Sequence, residues 1–76
     1  MAQTFEDLSR EVGDAYRMAR RQAHITQAQV GDNVGIAQPD ISRIESGGSN
    51  PSLVTLERLA DGIGCTLEVR FVEEGK

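Results

Sequence analysis

TQAQVGDNVGIAQPDISRIE, residues 26–45 of a 76-residue chain, holds two short helical patterns joined by a glycine turn. Thr26 and Gln29 form a T-x-x-Q capping box, which predicts a helix beginning just after Thr26. That helix should end near Val34, where Gly35 can adopt the left-handed conformation that closes it. The second pattern predicts a helix over about residues 38–45, with Pro39 in the first turn and Asp40 near the positive helix end. Val30, Gly31, Val34, Gly35, Ile36, Ile41 and Ile44 supply the apolar and small positions that clamp one helix steeply across another. Gly31 lacks a side chain where the following helix must cross closely. Together these features predict a helix-turn-helix. Gln38, Pro39, Asp40, Ser42 and Arg43 then face away from the clamp, toward whatever the motif binds, and DNA is the first candidate.

Upstream, Thr4 and Asp7 resemble a capping pair for a first helix over about residues 5–23. Its expected apolar stripe is Leu8, Val12, Ala15, Ala19 and Ala23, and Gly13 is a local cost to helix propensity. Arg17, Arg20 and Arg21 lie close together near its end, either as a solvated face matched to the helix dipole or as phosphate contacts. His24 falls at the helix end, where capping explains it. Downstream, Ser46–Pro51 reads as a loop, and Ser52 caps a fourth helix bearing Leu53, Leu56, Leu59, Ala60 and Ile63 on one side. Gly62 and Gly64 end that helix. From Thr66 to Val72 the period changes to alternation, which predicts a lone strand. Cys65, between helix and strand, reads as a small buried hydrophobe.

A lone strand cannot satisfy its own backbone, so pairing with a second chain is expected. A two-fold antiparallel ribbon centred on Val69 sets Glu68 of one copy opposite Arg70 of the other, with Leu67 and Phe71 completing the dimerisation segment. The expected organisation is a helix-turn-helix domain over residues 1–64 and a dimerising strand and tail over 65–76. The fold class is mainly α, with four to five helices and a C-terminal strand that pairs across a dimer.

Composition limits the alternatives. A chain this short is one domain, burying only about 60% of the surface its unfolded form exposes. One cysteine excludes an internal disulfide, and no Cys/His spacing suggests zinc, so no metal or cofactor is expected. A single histidine and the lack of any suggestive nucleophile or carboxylate pair argue against an enzyme and leave no catalytic residue to name. No apolar run approaches the roughly 20 residues needed to span a bilayer, and the N-terminus is acidic, so a soluble, unexported, cytoplasmic protein without membrane contact is expected. The net charge of −4 opposes DNA binding as a sum, but not as a distribution. Within residues 10–43, Arg10, Arg17, Arg20, Arg21 and Arg43 outnumber Glu11, Asp14, Asp32 and Asp40. Beyond residue 43, six acids face only Arg58, Arg70 and Lys76. Such segmentation suits a molecule touching DNA with one part and a basic protein with another.

Over about residues 8–64 the chain resembles the Xre/Cro/cI-type helix-turn-helix family, in which T-Q near the start of helix two, G at the turn, Q-x-x-I-S-x-I-E in helix three, then G, P and a leucine-rich helix fall in order. Within that family it looks most like HigA-type antitoxins, whose helix-turn-helix precedes a short terminal strand similar to LEVRF. It departs at Ala37, where Ser or Thr is common, and at Gly31, where Ala is more frequent. The resemblance implies base reading by Gln38 and base or phosphate contact by Arg43. Gln amides pair with adenine and Arg guanidinium with guanine, each worth about 1–3 kcal/mol of discrimination. Gln27, Ser42 and Asn50 match phosphate-positioning sites, Pro39 accompanies them on the exposed face, and Glu45 matches a structural hydrogen bond or ion pair. The implied function is a repressor bound as a homodimer to a palindromic double-stranded operator, serving as the antitoxin of a small basic toxin and repressing its own operon. The alternatives are a plain Xre-type repressor without a toxin and a mainly protein-binding antitoxin module.

Overall fold

The computed structural model describes residues 4–75. Four helices follow one another: α1 (Phe5–Gln22), α2 (Gln27–Val34), α3 (Gln38–Glu45) and α4 (Leu53–Asp61). Among the described residues there is no strand, and residues 65–75 run as a tail without regular structure. No helix among them is long and apolar enough to cross a membrane.

Both predicted capping boxes close. Thr4 Oγ1 accepts from the Asp7 N–H at 3.1 Å, and Thr26 Oγ1 accepts from the Gln29 N–H at 3.1 Å while Gln29 Oε1 accepts from the Thr26 N–H at 2.8 Å. Ser52 caps α4 by accepting from the Thr55 N–H. Gly35 ends α2 at φ 72°, the left-handed conformation a β-carbon would penalise. His24 caps α1 through its backbone: at φ 59° it donates to the Arg21 carbonyl, and Ile25 donates to that of Arg20. That pair of bonds is a Schellman motif with histidine in the position glycine usually takes. Ala37 offers α3 no side-chain cap, as its methyl group requires.

The core is Tyr16, Val30, Ile41, Ile44, Leu59 and Ile63, with Val30, Ile41 and Leu59 removed entirely from solvent. Each fully buried aliphatic side chain contributes about 1.5–3 kcal/mol. The Tyr16 hydroxyl donates to the Leu59 carbonyl at 2.9 Å, satisfying one of the acceptors that the last turn of α4 leaves open. Burial and the negative charge of Glu45 push the Tyr16 hydroxyl up to about 12. Arg58, from α4, donates to the Val34 carbonyl and so closes the C-terminal end of α2.

Three expectations of burial need correction, the simplest being Leu53, expected on the buried side of α4 but exposed in its first turn. The buried stripe of α1 runs through Gly13, Tyr16 and Arg20, one position away from the expected Leu8, Val12 and Ala15, which are exposed, while Ala19 and Ala23 of the expected stripe are half-buried against the core. One residue turns a helix by about 100°, enough to move the core from one flank to the next. Cys65, expected to be buried, is exposed at the start of the tail.

Gly13 explains the rotation. A β-carbon at this position would lie 2.2 Å from the Ile44 carbonyl oxygen and 2.7 Å from that of Glu45, so the backbones of α1 and α3 touch. At Gly31 the close neighbour is the Ile36 carbonyl, 2.6 Å from where a β-carbon would sit. The small residue there admits the turn leading into α3 rather than the helix itself.

Candidate nucleic-acid interface

Helix α3 presents the surface of interest. Ile41 and Ile44 are buried beneath it, and Gln38, Pro39, Ser42 and Arg43 are exposed above. Eight residues without a side-chain cap make a weak helix in isolation, since short helices are marginal in water. Its position comes from α1 beneath it and from a bonded chain of side chains at its ends.

That chain starts at Arg20. Its Nε donates to Glu45 Oε2 at 2.6 Å, its Nη2 to Glu45 Oε1 at 2.9 Å, and its Nη1 to the Ile25 carbonyl at 2.9 Å. The pair is almost wholly enclosed, with side-chain exposures of 10% for Arg20 and 3% for Glu45. Burial by itself would push the Glu45 carboxyl up. The Arg20 and Gln27 hydrogen bonds and the charges of Arg20 and Arg17 outweigh it, and the carboxyl is held below its ordinary value. The bond to Glu45 likewise raises the Arg20 guanidinium further above its ordinary value. Arg20 is therefore corrected: its donors are taken up inside the fold and face no phosphate.

Gln27, half-buried at the start of α2, donates its amide to Glu45 Oε1 at 3.1 Å. The amide oxygen of Gln27 is then turned outward, where it accepts from Gln38 Nε2 at 3.5 Å. The buried ion pair thus orients Gln27, and Gln27 offers a partner to Gln38, leaving the Gln38 carbonyl oxygen as a free acceptor. An amide held this way presents one acceptor and one remaining donor hydrogen, the pair an adenine edge requires.

The remaining arginines sit differently. Arg17 is part-exposed and bonded to Asp14 at 2.8 Å, and Arg43 pairs with Asp40 across one turn of α3. Exposed pairs of this kind are worth little, about 0–1 kcal/mol, so either guanidinium can leave its carboxylate for a phosphate or a base. Arg21 is exposed on α1. Asn50 is exposed in the α3–α4 loop, beside Phe5, Leu8 and Pro51, so the structure does not gather it with Gln27 and Gln38. Leu67, Glu68, Val69, Arg70 and Phe71 all lie in the tail.

Gly13 and Arg20 were not legible as supports of this surface. Their partners are more than twenty residues away, and a glycine in a helix carries only the signal of its poor propensity.

The helix-turn-helix family model matches residues 17–69, spanning α2, α3, α4 and the end of α1. Three relatives each carry the name of an uncharacterised HTH-type transcriptional regulator. One from Sinorhizobium fredii is 34% identical over 58 residues, covering 76% of this chain and 75% of its own. One from Haemophilus influenzae is 43% identical over 51 residues, covering 67% and 52%, and one from Mycobacterium tuberculosis is 30% identical over 63 residues, covering 83% and 45%. The chain spans three quarters of the first of these relatives and about half of the other two. The chain belongs to the helix-turn-helix family.

Proposed function

We propose that this chain is a sequence-specific DNA-binding transcriptional repressor that sets α3 into the major groove. The observation carrying this reading is the exposed face of Gln38, Pro39, Ser42 and Arg43 on a helix braced through Gly13 and the Arg20–Glu45 pair. Gln38 and Arg43 read base edges, and Gln27, Ser42, Arg17 and Arg21 approach phosphates, with Asn50 a more distant contributor. The regulator names of the relatives support the same reading.

Dimerisation through residues 66–72 completes it. Paired tails carry two recognition helices about 34 Å apart, reading a palindromic operator and doubling the phosphate contacts that an acidic chain needs. Binding occurs in the cytoplasm and requires no cofactor. A second reading, supported by exposed Glu68, Glu73 and Glu74 on the tail, adds a small basic toxin protein as a partner and makes the chain an antitoxin that represses its own operon. A neighbouring reading frame encoding a small basic protein that co-purifies with this chain supports that addition. Without one, a plain repressor remains.

The deciding experiment measures binding to DNA upstream of the chain's own gene at several salt concentrations, for the natural chain and for Arg43→Ala. A base-reading Arg43 predicts a loss of about 1–3 kcal/mol at the preferred site and relaxed choice at one position. An equal loss across all sequences makes Arg43 a phosphate contact, and no binding by the natural chain overturns the reading.

A further inference from the structure

Helices α1 and α4 leave an open apolar trough on the side away from α3. A cavity of about 300 Å³ is lined by Val12, Ala15, Ala19, Leu56 and Ala60, and Leu67 of the tail closes one edge. A smaller cleft of about 210 Å³ beside Phe5 and Leu8 shares Val12 and Leu56 with it. Leu67 is the one half-buried residue of the described tail, and everything after it is exposed, including Val69, Phe71 and Val72. The trough and the uncovered Phe71 are each apolar surface left facing water in the single chain.

Symmetry names the occupant. A two-fold ribbon centred on Val69 places residue 71 of one copy directly opposite residue 67 of the other, with β-carbons about 4.5–5.5 Å apart on the same face. Leu67 already lies at the edge of the cavity, so its cross-strand neighbour is delivered there too. We propose that Phe71 of a second copy fills the α1–α4 cavity, each chain seating its phenyl ring in the other. This rests on the tail-paired dimer of the preceding section and adds the surface that the tail grips. The space suffices, since an apolar cavity of about 150 Å³ already accommodates benzene. Four residues of strand cover only about 13 Å and carry Phe71 away from its own Leu67, which is why a chain does not fill its own cavity. Glu68 and Arg70 pair across the same ribbon, so the register that seats the ring also matches opposite charges.

The test uses the full chain in a Cys65→Ser background and a short bismaleimide. Copies bearing Val12→Cys are mixed with copies bearing Phe71→Cys, so any 12–71 link must join two chains, and Val69→Cys alone reports the ribbon. The proposal expects both links, with Val72→Cys, on the opposite face of the strand, failing to reach residue 12. It also expects Phe71→Ala to raise the dimer dissociation constant at least about tenfold in sedimentation, as interface aromatics do, with an unchanged helical spectrum. A 69–69 link without a 12–71 link overturns the seat while leaving the ribbon intact. Equal linking from residues 71 and 72 also overturns it. A monomer with no 69–69 link removes the ribbon itself, and the seat with it.

Discussion

The helix-turn-helix half of this molecule and the α1–tail flank treat their apolar residues in opposite ways. Around α2 and α3, Val30, Ile41 and Ile44 are buried, and the polar groups among them, Tyr16, Arg20 and Glu45, all have partners. Along the other flank, Phe5, Leu8 and Val12 on α1 and Val69, Phe71 and Val72 in the tail remain exposed. One region is complete in a single chain. The other is left open to solvent in the single chain, and the two should respond differently to mutation.

The largest effect should come from separating the buried ion pair. Arg20→Ala leaves the Glu45 carboxylate enclosed without its partner, and removing one member of a buried pair costs about 3–5 kcal/mol, readable by urea denaturation. The same pair sets the acid limit. Because the folded Glu45 carboxyl is held below its ordinary value of 4.5, its contribution is fully present above that pH and is lost as pH falls through the lowered folded value. Stability measured from pH 7 down to 3 should show this acid loss in the natural chain and a flatter profile in Glu45→Gln. A steep loss persisting in Glu45→Gln would assign it to other carboxyls.

Next comes Gly13→Ala, which forces a methyl group against the Ile44 and Glu45 carbonyls and should cost about 3 kcal/mol despite alanine's better helix propensity. If this substitution stabilised the chain, α1 and α3 would not touch as described. His24→Gly should act in the other direction, raising stability by about 0.5–1 kcal/mol in thermal unfolding, because glycine adopts the left-handed cap without a β-carbon. The smallest change belongs to the tail. Phe71→Ser should alter unfolding by less than about 0.5 kcal/mol at concentrations far below association, since the ring is exposed in one chain. A large loss there would mean the flank is not independent of the core.

Much of the fold is local chemistry and was therefore readable. Thr4, Thr26, Ser52 and Gly35 act on residues within one turn, and they set the ends of the helices where expected. The outward character of Gln38, Ser42 and Arg43 followed from the same short-range logic. What escaped depends on partners distant in the chain. Periodicity defines an apolar stripe on α1 but cannot choose between two adjacent stripes when the neighbouring helix is unknown. The deciding residue was Gly13, whose contribution is the absence of atoms. Arg20 looked like its neighbours Arg17 and Arg21, and only Glu45, brought beside it by the fold, separates it from them.

The brevity of α3 has a consequence for the protein's behaviour in a cell. Eight residues with an alanine cap borrow their order from the rest of the domain, so Gln38 and Arg43 hold their arrangement only while the whole domain is intact. A nicked or half-melted chain therefore loses this surface altogether rather than presenting a distorted version of it, and the quantity of chain that displays it follows the folded fraction.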